Sequence, residues 1–220
     1  MHHNKKVVIF DLDGTLIDSV PDLAAAVDTV LDELTGRTAG VDLVRTWVGN
    51  GSLVLVERAL SWAGADLAVL QTAHERFLEQ YAKDSGRHTV PYAGVVAGLQ
   101  ALKEQGFVLA IATNKPKQFL PDLLAQFGWE NTFAMVVGGD SLPEKKPHPA
   151  PLKHIADVLQ VTADECVMVG DSKNDILAGK AAQMTTLAVR YGYNYDEPID
   201  LSEPDVAFDD FSQVVAYLLA

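Results

Sequence analysis

Cysteine is nearly absent: Cys166 is the only one in 220 residues. No internal disulfide can form, which suits a reducing compartment and leads us to expect a cytoplasmic protein. Long apolar runs are missing too. No stretch approaches the roughly 20 residues that span a bilayer, and the opening MHHNKK lacks a signal-peptide hydrophobic region, so no membrane association is expected. The two leading histidines carry no weight. Basic residues are scarce, 17 against 30 acidic, for a net charge of −13. Nucleic acid and anionic membrane surfaces are therefore not expected partners. A small anionic molecule stays open, provided cations are gathered locally.

Apolar residues are plentiful at 48%, enough to build a core and to argue against disorder. They cluster in short runs at 6–10 (KVVIF), 107–112 (FVLAIA), 133–137 (FAMVV), 166–169 (CVMV) and 185–189 (TTLAV). Between the later runs lie segments with helical spacing of apolar residues, such as AGVVAGLQALKEQG, KQFLPDLLAQFG, APLKHIADVLQ and NDILAGKAAQ. Strands alternating with helices predict a Rossmann-like α/β fold, a parallel sheet with helices on both faces. Ligands of such sheets sit beyond the carboxyl ends of the strands. That rule places Asp11, Thr113, Asp140 and Asp171 on one rim. Residues 18–87 break the alternation with three helical stretches and no strand, and Ser19 is the candidate N-cap of the first. They read as a small helical insert after the first strand, interrupting a core formed by 1–17 and 88–220.

The first strand ends in DLDGT. Residues two apart on an extended chain share a face about 7 Å apart, so Asp11 and Asp13 look into one pocket. Like charges so close repel by about 4 kcal/mol per pair at 4 Å and an effective dielectric near 20, and a bound phosphate adds to that. A divalent cation relieves the repulsion, and oxygen-only ligands select Mg²⁺ over zinc. The alternative is a plain Asp-Gly turn. The segment CVMVGDSKND repeats the pattern with Asp171 and Asp175, although Ser172 and Asp175 also fit a helix capping box. Thr113 and Asn114 bring neutral hydrogen-bonding groups to the rim, and Lys145 and Lys146 follow the third strand.

DLDGT, ATN, KKP and GDSKND, in that order and on strand ends, resemble the motifs of the haloacid dehalogenase superfamily over nearly the whole chain. The resemblance implies Asp11 as a nucleophile that forms an aspartyl-phosphate. It implies Asp13 as the acid that protonates the leaving oxygen and the base that then activates water, a role that calls for burial and an acidic neighbour. Thr113 would bind the transferring phosphoryl group and Lys146 would neutralise its charge. Mg²⁺ would be held by Asp11, the Asp13 carbonyl and Asp171, with Asp175 in support. The second acid points to phosphatases and mutases rather than to carbon–halogen cleavage. The insert resembles the family's helical cap. Its RTWVGNGSLVLVERAL is similar to the matching segment of bacterial phosphoglycolate phosphatases, which implies that Gly49, Asn50 and Gly51 approach the substrate. Lys173 departs from the arginine common there, keeping the charge without bidentate geometry.

The expectation is a Mg²⁺-dependent hydrolase of a small phosphorylated metabolite, with 2-phosphoglycolate leading. A sugar-phosphate phosphatase or phosphomutase is the alternative, and a non-catalytic Mg²⁺-binding scaffold is a third reading. GDSKN falls short of a serine-hydrolase elbow because Asn174 stands at the final glycine. HERFL lacks the second histidine of a zinc helix, and Gly179-Lys180 lacks the rest of a P-loop.

Overall fold

The computed structural model describes residues 5–220, so the leading histidines and the start of the expected 1–17 segment lie outside the described residues. The elements run β1 (Val7–Phe10), β2 (Ile17–Asp18), α1 (Val20–Thr35), α2 (Val41–Arg45), α3 (Ser52–Ala63), α4 (Leu70–Asp84), β3 (Val90–Pro91) and α5 (Val95–Glu104). They continue with β4 (Val108–Ala112), α6 (Leu120–Gln126), β5 (Met135–Val137), α7 (Ala150–Leu159), β6 (Cys166–Gly170), α8 (Lys173–Ala181), β7 (Thr185–Val189), β8 (Val206–Phe208) and α9 (Phe211–Leu219).

Six strands form one sheet in the order β5-β4-β1-β6-β7-β8. Every pairing in it is parallel. A parallel sheet needs crossovers, and the helices that supply them cover both faces; β1 is consequently apolar at every position and fully buried. Val8 and Phe10 point to one layer, with Val95 and Leu99 of α5 and Phe211 of α9. Val7 and Ile9 point to the other, with Leu152 and Ile155 of α7 and Ala178 of α8. The chain order reverses at β1, whose neighbours are β4 and β6. Such a switch point opens a crevice past the strand ends, and Asp11 lies at its centre.

Helices α1–α4 build a second apolar cluster of their own, including Val27, Leu31, Leu60 and Phe77. Phe119 and Tyr193 from the sheet side complete that cluster, so the seam between the two bodies is itself packed. The chain crosses the seam on a two-stranded antiparallel ribbon, in which Ile17 pairs with Pro91 and Asp18 with Val90. Asp22 of α1 ties down the return crossing, accepting from the backbone N–H groups of Gly86, His88 and Thr89 and from Thr89 Oγ1.

Candidate active site

β1, β4 and β6 end together, and their next residues are Asp11, Thr113 and Asp171. Asp11 continues the ladder, its N–H donating to Val169 O at 2.9 Å, which fixes the side chain over the sheet edge. Asp11 Oδ1 accepts from Leu12 N at 2.7 Å and lies 3.0 Å from Lys146 Nζ. Its Oδ2 has no partner among the described residues. Burial, with Asp175 and Asp171 adding to it against the pull of Lys146, pushes the Asp11 pKa well above the ordinary carboxylate range.

Asp171 is held from three sides. Thr15 Oγ1 donates to Oδ1 at 2.6 Å and Tyr193 N donates to Oδ2 at 2.8 Å. Gly14 and Gly192 press against the Asp171 side chain so closely that a Cβ at Gly14 would sit 2.3 Å from its Oδ2 and one at Gly192 2.2 Å from its Cβ. Burial and the neighbouring Asp175 raise its pKa to about 7. Asp175 fills the capping box and also reaches the carboxylate cluster. Its Oδ2 accepts from Ser172 N and Oγ, as in a capping box, while Oδ1 accepts from Lys146 Nζ at 2.6 Å. Burial works against the Lys146 ammonium, but Asp11 and Asp175 outweigh it and hold its pKa above the ordinary lysine value.

Oxygens of Asp11, Asp171 and Asp175 all lie within 4.8 Å of one another. With Asp13 they make four carboxylates served by two ammonium groups, Lys146 and Lys115, an excess of two negative charges. An oxygen-only donor set with that deficit fits a hard divalent cation.

Asp13 departs from expectation in its surroundings. Instead of an acidic neighbour it meets Lys115, whose Nζ donates to Oδ1 at 3.1 Å, and Ser19, whose hydroxyl donates to the same oxygen. Ser19 does occupy the N-cap position of α1 but makes no cap bond with its side chain. Asp11, Asp13, Thr113, Asn114 and Lys115 share one partly open cavity with Gly49 and Gly51 of the insert. Asn50 turns away from it, accepting from Arg58 at 2.8 Å.

The insert loop is strapped to the core. The Gly49 carbonyl accepts from Asn114 Nδ2 at 2.9 Å and from Asn174 Nδ2 at 3.0 Å. Lys145 Nζ donates to Asn50 O at 2.8 Å, so the two adjacent lysines divide their work between loop and carboxylates. The second Asn114 Nδ2 bond goes to Lys146 O, and its Oδ1 is buried without a partner among the described residues. Asp140 stays on the rim but serves the backbone, accepting from Lys117 N at 2.7 Å. Lys173 lies outside the cavity, paired with Glu197 and over the Tyr195 ring.

Lys115, Tyr81, Tyr193 and Tyr195 were not among the residues singled out from the sequence. Only Lys115 carried a readable signal, as the cation directly after Thr113-Asn114 at a strand end. Tyr193 donates to Asp18 at the ribbon, and Tyr195 shares a hydrogen bond with Asn174 under Gly49; both lie in a loop without periodicity.

This order of carboxylates, hydroxyl and lysine on a switched parallel sheet agrees with the family model of haloacid dehalogenase-like hydrolases, which matches residues 8–189. The chain belongs to that family. Among curated haloacid dehalogenase-like relatives, the phosphoglycolate phosphatase of Psychrobacter arcticus is 51% identical over 98% of this chain and 96% of its own. That of Haemophilus influenzae strain Rd is 43% identical over 99% and 100%. The crystal structure of a predicted phosphoglycolate phosphatase from Haemophilus somnus superposes with a TM-score of 0.93 at 38% identity, covering 97% of this chain and 98% of that one.

Proposed function

We propose that the chain is a Mg²⁺-dependent phosphatase of small phosphate monoesters, with 2-phosphoglycolate as substrate and glycolate and phosphate as products. The observation that carries the reading is the convergence of Asp11, Asp171, Asp175 and Lys146 at the switch point, beside a cavity that Asp13 also lines. Full-length relatives named phosphoglycolate phosphatase support the substrate. Asp11, Asp171 and Asp175 would hold the cation, with Asp13 lending its carbonyl. When bound, the ion supplies the missing positive charge beside the carboxylates and the transferring phosphoryl group.

Asp11 attacks phosphorus through the oxygen that Lys146 and Leu12 leave free. A carboxylate is ionised at neutral pH once its charge is compensated, so no base is needed to prepare it. The P–O bond to the substrate carbon chain breaks as the Asp11–phosphorus bond forms; Asp13, which takes up a proton when the phosphorylated substrate brings its negative charge beside it, passes that proton to the departing oxygen. Asp13 then takes a proton from water as that water attacks phosphorus, releasing phosphate and restoring Asp11. Thr113 and Lys146 steady the charge that spreads over the phosphoryl oxygens. Residues 18–87 act as a cap that closes the cavity, excludes bulk water and limits substrate size through Gly49 and Gly51.

The test is phosphate release from 2-phosphoglycolate, sugar phosphates and nucleotides, with Mg²⁺ and with chelator. The expected result is fast hydrolysis of 2-phosphoglycolate that chelator abolishes. Equal rates across the panel would remove the substrate assignment, activity in chelator would remove the metal, and transfer of phosphate between sugars without release would favour a mutase.

A further inference from the structure

We infer that Lys115 and Tyr81 together form the receptor for the substrate's carboxylate, so that this enzyme selects 2-phosphorylated α-hydroxy acids with little or no side chain. The inference rests on the phosphatase reading above and assigns its specificity.

Lys115 is a buried cation with capacity to spare. Of its three N–H donors, one is shared between the two oxygens of Asp13 at 3.1 and 3.4 Å, and one goes to Tyr81 Oη at 2.7 Å. The remaining N–H has no acceptor among the described residues. Tyr81 Oη accepts from Lys115, and its own proton likewise has no acceptor among them. Both residues line the cavity alongside Asp13. Burial opposes the ammonium, but Asp13 and Tyr81 more than offset it, so Lys115 is charged at neutral pH. Two unspent donors, one of them cationic, converge on one small space.

The position relative to Asp13 selects the anion. Asp13 serves the bridging ester oxygen, and in 2-phosphoglycolate a single methylene separates that oxygen from the carboxylate. A cation in contact with Asp13 is therefore where a carboxylate one carbon removed arrives. The rest of the cavity wall is mostly apolar, with Leu23, Val48, Leu55 and Phe77 from the insert and Phe119 from the core; the insert's Ser52 also lines it, its hydroxyl paired with His74. Other cations nearby are committed elsewhere. Arg45 pairs with Asp18, Arg58 donates to Trp47 O and Asn50, and Lys145 to Asn50 O. The phenol is held rigidly, stacked on Phe77 with centroids 5.8 Å apart and edge-on to Phe119 at 4.9 Å. Tyr81 belongs to α4 and Lys115 to the β4 loop, so the receptor is complete only when the insert sits on the core.

The experiment compares kcat/KM for 2-phosphoglycolate and for ethyl phosphate, which carries a methyl group in place of the carboxylate. Charge-assisted hydrogen bonds set the expected scale, a preference of roughly 10- to 100-fold for phosphoglycolate in the unmodified protein. Lys115→Met should bring that ratio close to one, whatever the fall in absolute rate from the loss of Asp13's partner. Tyr81→Phe removes one oxygen from a packed ring and decides the matter where Lys115→Met does not fold; it should lower the ratio severalfold through KM for phosphoglycolate. Both variants keeping the wild-type ratio would overturn the receptor and leave the phosphatase reading standing. An unmodified protein that hydrolyses both esters equally would overturn the substrate assignment and the receptor together.

Discussion

Asp171 shows how tightly a single side chain is specified. Two glycines flank it, and Gly14 has a second constraint, a φ of +89° that a side chain rarely adopts. Gly192 is free of that constraint, so Gly192→Ala tests crowding alone. It should displace Asp171, raise the Mg²⁺ concentration for half-maximal activity by roughly 10-fold or more, and lower stability by about 1–3 kcal/mol through overpacking. Asp13→Asn should abolish turnover while phosphate still binds, measurable by calorimetry, because the amide cannot give or take the proton; unimpaired turnover would remove Asp13 from the mechanism. The rim residues Asp11, Thr113, Asp171 and Lys146 were legible because each follows a strand or a proline-stiffened loop whose apolar run is unmistakable. The environment of Asp13 was not legible. Lys115 is 102 positions away in sequence and meets it only once β1 and β4 have paired.

At the scale of elements, Asp22 is the member whose loss should be felt most. Three backbone N–H groups and the Thr89 hydroxyl converge on this buried carboxylate. Asp22→Ala leaves buried donors unpaired, and urea unfolding should show a loss of about 2–4 kcal/mol. The strands at the sheet centre were readable as uninterrupted apolar runs, since both faces are covered. The short edge strand β8, whose three residues are all half-buried, and the final helix were not read at all, although α9 packs Phe211 and Val214 fully into the core. The pair β2 and β3 has two residues each, too few for any alternation to register. Helix α2, five residues long, is likewise shorter than a helical repeat can reveal.

For the whole molecule, the raised carboxylates make stability depend on pH and metal together. A carboxyl whose pKa is higher folded than unfolded binds more protons in the native state, so metal-free stability falls as pH climbs from about 4 through the folded value. Asp171, at about 7, sets that window, and Asp11 acts in the same direction. Each such group weakens the fold by about 1.4 kcal/mol per pH unit inside its window. Mg²⁺ competes with those protons, so the melting-temperature gain on adding it should be larger at pH 8 than at pH 5; an equal gain at both would contradict the cluster as a metal site. The ribbon at the seam has a further result. Because Asp18 and Val90 face each other across one hydrogen-bonded ladder, the outgoing and incoming chains leave the sheet as neighbours, and everything between them is a detour that the sheet's wiring does not require. On the cap reading proposed above, selectivity is modular: a different insert on the same ribbon would alter which substrates fit while the strand ends keep their places.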